Sequence, residues 1–470
     1  MPEYDVIIVG AGPGGIFSAY ELMNSGLSVA IIESGCELEK RKCPIDGDKI
    51  KSCVNCKSCS IMSGFGGAGA FSDGKYNITN DFGGTLYEHI GYNEALDLME
   101  YVDKINLENG GEGIKLFSSN NSKFSKLCLQ NNLKLLNASI RHLGTDINYK
   151  ILQNLYHKLK TNGIDFYFNT KVTDIEISDK KYINGELEVC GYNIWTKDNK
   201  YFHCKYCIVS AGRSGSSWVE ELCNNLDIKT LSNKVDIGVR VELPYEIFSH
   251  LTDELYEAKI VYRTEQFEDE IRTFCMNPRG SVVNENTNGI ITVNGHAFED
   301  EKLKTNNTNF ALLVSKKFTE PFNNSNEYGM SIAKLSNMLG GGVIVQQFGD
   351  LKRGRRTTEN RLNRGTVKQT LKATPGDLSL VLPKRILDDI IEMIEALDKI
   401  APGTANPSTL LYGVEVKSYN MVVDVNKDLE SKYNNLFFIG DGSGITHSLS
   451  QASASGVYVA RKILERSLQK

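Results

Sequence analysis

The 470-residue sequence lacks a strong net charge, a long apolar run and any internal repeat. Its 53 basic and 58 acidic residues give a net charge of −5, so the molecule as a whole has no electrostatic reason to bind nucleic acid or anionic lipid. No apolar stretch approaches the roughly 20 residues that a membrane helix needs. The opening residues, MPEYDVIIVG, are acidic where a signal peptide would be basic. We therefore expect a cytoplasmic protein of two or three domains, without a membrane or nucleic-acid partner.

Disulfides are not expected either, because a cytoplasmic compartment keeps thiols reduced. The chain nevertheless has eleven cysteines, and four of them follow the spacing C-x9-C-x2-C-x2-C at Cys43, Cys53, Cys56 and Cys59. Two successive C-x2-C steps let a short loop present three thiolates to one centre, as in bacterial ferredoxins. The pattern favours a [4Fe–4S] cluster. Zinc is the chief alternative, and thiol redox chemistry or simple packing is the remaining one.

A dinucleotide-binding fingerprint opens the chain. The apolar run Val6–Val9 predicts a buried parallel strand, a GxGxxG motif follows it, and a helical pattern comes next. A second apolar strand, Leu27–Ile32, ends at an acidic residue that can accept hydrogen bonds from an adenosine ribose. The residues of this unit that we expect to contact the cofactor are Gly10, Gly12, Gly14, Gly15 and Glu33.

A second half of the site is predicted near the other end of the sequence. Leu436–Ile439 is a buried strand that leads into Gly440 and Asp441, and a helix is predicted over Ser453–Leu468. Here the chain resembles the glutathione-reductase-like FAD flavoproteins. The resemblance implies that Asp441 holds the flavin ribityl chain. It also implies that the backbone of Gln451 and Ala452, at the start of the helix, faces the pyrimidine edge of the flavin.

More narrowly, the chain resembles the bacterial FAD-utilising dehydrogenases, nearly end to end. This resemblance rests on the cysteine-rich segment with GGAGAFSDGK and on the motifs RHLGTD, IGVRVELP, FCMNPRGSVVNE and VNGHAF. We expect the glycine-rich loop 64–75 to wrap the flavin, and two strands between the halves to approach FAD. The further residues expected at the cofactor are Gly66, Gly67, Ala68, Ser72, Asp73, Val172, Ala211 and Gly212.

The predicted fold class is α/β, with a discontinuous Rossmann-like FAD-binding domain of the glutathione-reductase type. Its first part spans residues 1–234, with the cysteine-rich insertion at about 36–75, and its second part spans 413–470. Between them, 235–412 shows short alternating strands and an amphipathic helix, which predicts an inserted mixed β-sheet/α substrate domain.

Catalytic residues are harder to choose from the sequence. Polar groups among apolar neighbours can orient a substrate or deliver a proton, and our candidates are His296, His447 and Arg141. Arg240 is a further candidate for binding substrate. Cys275 is expected to be a buried strand cysteine and not a nucleophile. The basic loop 352–364 is expected to be solvated.

Together these features predict an FAD-dependent oxidoreductase that acts on a small organic substrate by hydride transfer through flavin N5. Since no separate nicotinamide domain is visible, an electron-carrier protein or transiently bound NAD(P)H must supply electrons. Two alternatives remain open at this point. One is a flavin-dependent RNA-modifying enzyme, and the other is a non-catalytic flavin or iron–sulfur electron-transfer protein.

Overall fold

The computed structural model describes residues 2–44, 56, 58–120, 122–183, 186–255, 257–287, 289–297, 301–322 and 324–468. The chain forms two compact units. The first unit combines Met1–Leu116, Ala138–Leu231 and Asn420–Lys470, and the second combines Phe117–Asn137 and Ser232–Tyr419. In the described part of the chain, no helix is both long and apolar enough to cross a membrane.

The first unit is built on a seven-stranded sheet with the order β7-β2-β1-β10-β9-β8, in which β22 also pairs with β10. The strands of this unit are β1 (Glu3–Val9), β2 (Val29–Ile32), β3 (Lys75–Ile78), β6 (Ser139–His142), β7 (Asp165–Tyr167), β8 (Val172–Ile183), β9 (Glu186–Thr196), β10 (Tyr201–Val209), β11 (Thr230–Leu231), β21 (Val422–Val423) and β22 (Leu436–Phe438). Strand β4 (Leu116–Ser118) lies where the chain passes from the first unit into the second.

Strands β7, β2, β1, β10 and β22 are parallel, whereas β8 and β9 form an antiparallel extension. Helices of this unit are α1 (Pro13–Leu22), α2 (Leu86–Ile90), α3 (Tyr92–Asn106), α5 (Gly144–Thr161), α6 (Ser216–Asn225) and α12 (Leu449–Leu468). One face of β1 packs Val6 and Ile8 into the core that includes α1 and α12, and the other packs Ile7 and Val9 into a separate core. Burial on both faces explains why β1 has a continuous apolar sequence.

The second unit is built on an eight-stranded sheet with the order β19-β18-β20-β12-β17-β14-β13-β5, and β15 and β16 form a separate hairpin. Its strands are β5 (Leu133–Leu135), β12 (Val235–Pro244), β13 (Ile260–Arg263), β14 (Glu270–Asn277), β15 (Ser281–Thr287), β16 (Ile290–His296), β17 (Asn307–Lys316), β18 (Ile344–Gln347), β19 (Thr374–Pro375) and β20 (Leu410–Ser418). Its helices are α4 (Lys123–Leu129), α7 (Tyr245–Leu255), α8 (Ser325–Gly340), α9 (Phe348–Lys352), α10 (Glu359–Arg364) and α11 (Lys384–Asp398).

Alternation along β12 explains the two faces of this sheet. Val239 and Val241 are fully buried in the apolar core that includes α11, whereas Arg240 and Glu242 point to the opposite face. The predicted α/β class is therefore observed. Two placements differ from the sequence expectation, because 117–137 and 413–419 both lie in the second unit. Strand β5 of the first stretch pairs with β13, and strand β20, which extends into the second, pairs with β12.

Candidate functional site

The first fingerprint glycine forms a tight turn at the end of β1. The N–H of Gly10 donates to the carbonyl of Ile32 at 2.9 Å, which aligns the ends of β1 and β2. Gly10 has φ +109°, and a Cβ there would lie 2.4 Å from the carbonyl oxygen of Ser210. Only glycine meets both constraints.

The second fingerprint glycine has no such constraint. Gly12 precedes α1 with φ −77° and ψ −177°, an extended conformation open to any residue. A Cβ at Gly12 would have no protein atom within 4 Å among the described residues, whereas one at Gly15 would lie 2.1 Å from the carbonyl oxygen of Gly10. Packing within the chain therefore explains why positions 10 and 15 require glycine, but it does not explain the glycine at position 12. The open space at Gly12 lies at the N-terminus of a ten-residue helix, where a diphosphate is favoured.

Glu33, directly after β2, holds the surrounding loops together. It is 7% exposed. One carboxylate oxygen accepts the N–H of Ala11 at 2.8 Å, and the other accepts the N–H groups of Gly35 at 2.7 Å and Gly64 at 3.0 Å. The Ser34 hydroxyl donates to the second oxygen at 3.1 Å. The ribose contact expected of Glu33 stays a prediction.

The glycine-rich loop lies against the fingerprint. The N–H of Gly66 donates to the carbonyl of Ala11 at 2.8 Å. A Cβ at Gly67 would lie 3.2 Å from Cα of Gly12, and one at Gly69 would lie 2.7 Å from the Leu449 side chain. Ala68 lies in the same 3₁₀ turn, Gly67–Phe71. The loop therefore borders both the open space at Gly12 and the start of α12.

Arg41 fixes this loop, and the sequence did not indicate it. Its side chain is 4% exposed and donates to the carbonyls of Ser60 at 2.9 Å, Ile61 at 2.8 Å and Phe65 at 2.6 Å. The guanidinium lies 4.8 Å from the centre of the Phe71 ring. Burial lowers the pKa of Arg41, and nearby Glu33 opposes that shift. No local pattern marks an arginine as buried, so no sequence signal could have identified this role.

Two further segments complete the carboxyl edge of the parallel strands. After β10, Gly212 has φ −86°, and a Cβ there would meet no atom within 4 Å among the described residues. Gly442 donates its N–H to the carbonyl of Ala211 at 2.7 Å. Arg213 Nε donates to Asp441 Oδ2 at 3.2 Å. Burial raises the pKa of Asp441, and the Arg213 charge opposes that shift.

The start of α12 carries both satisfied and unsatisfied polar groups. The buried Gln451 side chain donates to the carbonyls of Thr79 at 3.2 Å and Phe82 at 3.1 Å, so its amide fixes a neighbouring loop. Ala452 is 5% exposed in the first turns of the helix. Around the start of α12, three buried hydroxyls have no hydrogen-bond partner among the described residues: Thr446 Oγ1, Ser450 Oγ and Ser453 Oγ. Buried polar atoms without partners fit a site that a polar ligand completes.

The remaining cofactor candidates lie in the same unit. Asp73 forms an ion pair with Lys75 at 3.0 Å, and the Ser72 hydroxyl donates to the carbonyl of Gly69 at 2.8 Å. Gly14 is packed closely, because a Cβ there would lie 2.8 Å from Ser210 Oγ. Val172 begins β8 and is 6% exposed.

The three catalytic candidates lie in different settings. Arg141 is buried in a bidentate pair with Asp103, at 2.9 and 2.6 Å, and also donates to the carbonyl of Ile114. His447 belongs to the first unit, where its N–H donates to the carbonyl of Gly83 at 2.8 Å. His296 is exposed at the end of β16 in the second unit. Their catalytic roles stay predictions.

In the second unit, Arg240 is completely buried. It pairs with the equally buried Glu415 at 2.8 Å, and it donates to Asn309 Oδ1 at 2.9 Å and to the carbonyl of Cys275 at 3.0 Å. Cys275 itself differs from the expectation of a buried strand cysteine. It is exposed with φ +22°, at an irregularity in the pairing of β14 with β17. A bulge turns a side chain away from the regular strand alternation.

The predicted metal centre is only partly within the described residues. Cys43, Cys56 and Cys59 are exposed free thiols, and Cys53 lies outside the described residues. Within the described ranges, no group of three or more His, Cys, Asp or Glu side chains could hold a metal ion. The iron–sulfur cluster and its zinc alternative stay predictions.

Several solved structures are similar to this chain, and so is a curated sequence. Glycine oxidase from Geobacillus kaustophilus is 12% identical, with 99% of this chain and 95% of that chain covered and a TM-score of 0.39. L-α-glycerophosphate oxidase from Mycoplasma pneumoniae, solved with FAD bound, is 12% identical, with 99% and 95% covered and a TM-score of 0.40. An uncharacterized protein of Clostridium beijerinckii is 27% identical, with 98% of this chain and 80% of the relative covered.

A family model matches the second unit. It covers residues 234–418, and its description is "FAD-dependent protein, C-terminal domain-like". These bounds agree closely with the larger stretch of the second unit, Ser232–Tyr419. The second unit of this chain is thus similar to the C-terminal domain of FAD-dependent proteins.

Proposed function

We propose that the chain is an FAD-dependent oxidoreductase that acts on a small organic substrate. The observation that carries this proposal is Gly12, a fingerprint glycine whose Cβ position is open space at the N-terminus of α1. A diphosphate approaching the backbone at that point requires the absence of a side chain. The similarity of residues 234–418 to an FAD-dependent family supports the same cofactor independently.

The chain's own residues fit FAD along the whole edge of the parallel strands. The first turn of α1 offers N–H groups to the diphosphate. Glu33 repels a ribose 2′-phosphate, which favours an adenosine with a free ribose. Asp441 can accept hydrogen bonds from the hydroxyls of the ribityl chain. The unpartnered hydroxyls near the start of α12 can form hydrogen bonds with the polar edge of the flavin.

When bound, FAD supplies hydride transfer through N5. The protein's part is to orient the substrate, to exclude water and to hold a proton near the reacting atom. His447 is our candidate for the proton, because it lies two residues before α12 and its backbone is fixed by Gly83. His296 and Arg141 are the other candidates, for substrate orientation.

The test is direct. Purified protein should be yellow, and denaturation should release FAD, identified by chromatography against FMN and NAD standards. Anaerobic mixing with a panel of small organic reductants should then bleach the flavin band with at least one of them. Release of FMN, or of no flavin from protein produced with ample riboflavin, would overturn the proposal.

The cysteine-rich segment is proposed to add a [4Fe–4S] cluster, with zinc as the alternative. Anaerobically prepared protein should then contain iron and acid-labile sulfide in nearly equal amounts. Zinc alone would assign the site a structural role. Neither result changes the flavin proposal, because that proposal rests on Gly12 and on the similarity of residues 234–418 to an FAD-dependent family.

A further inference from the structure

Arg213 follows β10 at the carboxyl edge of the parallel strands, within the first unit. Two residues before it, Ala211 contacts both halves of the proposed FAD site. A Cβ at Gly10 would lie 3.6 Å from the backbone nitrogen of Ala211, and the N–H of Gly442 donates to the carbonyl of Ala211 at 2.7 Å. These contacts hold the start of the Arg213 turn between the fingerprint and the segment that bears Asp441.

The residue directly before Arg213 is a glycine that packing within the chain does not explain. Gly212 has φ −86° and ψ −171°, an extended conformation open to any residue. A Cβ at Gly212 would meet no described atom within 4 Å, and the same holds at Gly12. A ligand that approaches the backbone closely accounts for a glycine at both positions. Arg213 therefore extends from a backbone position that has room for a ligand.

The side chain of Arg213 uses only part of its hydrogen-bonding capacity. Its Nε donates to Asp441 Oδ2 at 3.2 Å, and the side chain is 59% exposed. In the described part of the chain, no acceptor bonds to either of its terminal nitrogens. A guanidinium carries N–H groups on all three nitrogens, so those of both terminal nitrogens remain available to an anion.

Charge balance favours a cation at this place. Two carboxylates of low exposure, Glu33 and Asp441, border the same edge, and the diphosphate of FAD is itself an anion. Glu33 forms no ion pair within the described ranges, because backbone N–H groups occupy its oxygens. Arg213 pairs with Asp441 and so offsets the repulsion between that carboxylate and a bound diphosphate.

We propose that Arg213 binds the flavin-side phosphate of FAD while its Nε holds Asp441, an inference that rests on the proposed flavin function. The ribityl chain of FAD ends in the ester oxygen of this phosphate. A carboxylate that accepts the ribityl hydroxyls therefore lies next to it. One guanidinium can bond a carboxylate and a phosphate together, because its N–H groups point in different directions within one plane. Asp441 and Arg213 thus recognise adjacent parts of the cofactor.

The test measures binding and not turnover, on full-length protein from which any flavin has been removed. The two probes are FAD, followed by its fluorescence, and ADP, followed by calorimetry. ADP carries the diphosphate but no ribityl chain, so its affinity does not depend on ribityl hydroxyls bonded to Asp441. The variants are Arg213→Gln, Arg213→Lys and Asp441→Asn. The matched control is Arg461→Gln in the same unit, because Arg461 Nε also pairs with a carboxylate, that of Glu21 at 2.7 Å, and its side chain is 42% exposed.

We expect Arg213→Gln to weaken the binding of both FAD and ADP about tenfold or more, because both lose the same phosphate contact. Arg213→Lys keeps the charge and should recover part of each loss. Asp441→Asn should weaken FAD binding only, because ADP has no hydroxyl for it to accept at that position. Arg461→Gln should bind both probes as the wild type does.

Two results would overturn the phosphate contact. If Arg213→Gln weakened FAD but left ADP unchanged, Arg213 would only position Asp441. Equal affinities of Arg213→Gln and the wild type, or an equal loss in Arg461→Gln, would remove any specific role for Arg213. Failure of the proposed function has a different signature: a wild type that binds ADP but not FAD would contradict the flavin function, whatever Arg213→Gln does to ADP binding.

Discussion

The carboxylate of Glu33 accepts the backbone N–H of Gly64 at 3.0 Å, across 31 residues of sequence. The same side chain accepts the N–H of Ala11, so one buried carboxylate joins the fingerprint turn to the glycine-rich loop. An acidic residue at this position has a structural role before any ligand binds. The arrangement of these two loops therefore depends on a carboxylate that forms no ion pair among the described residues and that backbone N–H groups stabilise instead.

Replacing Glu33 should destabilise the protein as well as weaken cofactor binding. In Glu33→Gln the amide nitrogen would face N–H donors, which should cost about 2–4 kcal/mol of unfolding free energy. Urea unfolding of the apoprotein measures this loss. The exposed Glu3→Gln serves as the control and should change the unfolding free energy by less than about 0.5 kcal/mol. Equal stability of the two variants would show that the backbone bonds to Glu33 contribute little.

Replacing Gly12 or Gly15 by alanine should have different effects on stability and on FAD affinity. Gly12→Ala adds a Cβ to open space, so the apoprotein should keep its stability within about 0.5 kcal/mol, while FAD affinity falls on the order of 100-fold. Gly15→Ala places a Cβ 2.1 Å from the carbonyl oxygen of Gly10 and should destabilise the apoprotein by about 2 kcal/mol or more. Fluorescence titration with FAD and urea unfolding separate the two effects. Unchanged FAD affinity in Gly12→Ala would contradict a diphosphate at this position.

The buried pair of Arg240 and Glu415 predicts a large stability loss in the second unit. Arg240→Met removes the nearer of the two cations that pair with the completely buried Glu415 and leaves only Lys417 at 3.4 Å, which should cost about 3–5 kcal/mol. The control is Lys384→Met, because Lys384 is exposed and its pair with Asp388 should contribute no more than about 0.5 kcal/mol. Adding Glu415→Leu to Arg240→Met should restore part of the stability. No recovery in the double variant would show that packing of Arg240, and not its charge, stabilises the unit.

Because Asp389 on α11 is buried, we expect the stability of the protein to depend on pH. Asp389 is completely buried and accepts the Thr264 hydroxyl at 2.8 Å, and its second oxygen has no hydrogen-bond partner among the described residues. Burial, with the nearby Asp269 charge, raises the pKa of Asp389 to about 6. Hydrogen bonds from Arg385 and Lys316 outweigh burial and lower the pKa of Asp269 to about 2.

The direction in which stability changes with pH follows from the difference in proton binding between the folded and unfolded states. Between about pH 4 and 6 the folded protein holds a proton on Asp389 that the unfolded chain has released, so stability falls as the pH rises through this window. Asp389→Asn keeps the acceptor for Thr264 and cannot ionise. The free energy of unfolding of Asp389→Asn should exceed that of the wild type by about 3 kcal/mol at pH 8, since each pKa unit is worth about 1.4 kcal/mol. Urea unfolding at half-unit pH steps measures this difference in the free energy of unfolding, with Asp388→Asn as the control. A gain that is constant from pH 4 to 8 would contradict the assignment.

The sequence predicted the parts of the site that local geometry determines. The turn at Gly10 and the Gly440–Asp441 strand end follow from motifs in which each residue constrains its immediate neighbours. Helix α12 begins at Leu449, four residues before the predicted start at Ser453. Its first turn contains Ser450, which has a lower helix propensity than most residues of α12, so local propensity does not mark this start.

Arg41 and Cys275 could not be predicted, for a shared reason. Burial of Arg41 depends on carbonyls of residues 60, 61 and 65, whose positions no nearby sequence pattern specifies. The exposure of Cys275 depends on the register between β14 and β17, which shifts after Phe274.

The parallel pairing of β10 with β22 has a consequence for how the protein is made. Val209 pairs with Phe438, so the edge that bears Gly212 and Asp441 is assembled from segments separated by the entire Ser232–Tyr419 stretch of the second unit. During translation the fingerprint emerges early, but its partner strand and α12 leave the ribosome only after the second unit. The flavin that we propose for this edge can therefore bind only late in biogenesis. A nascent chain stalled before residue 434 should expose the apolar edge of β10 to chaperones.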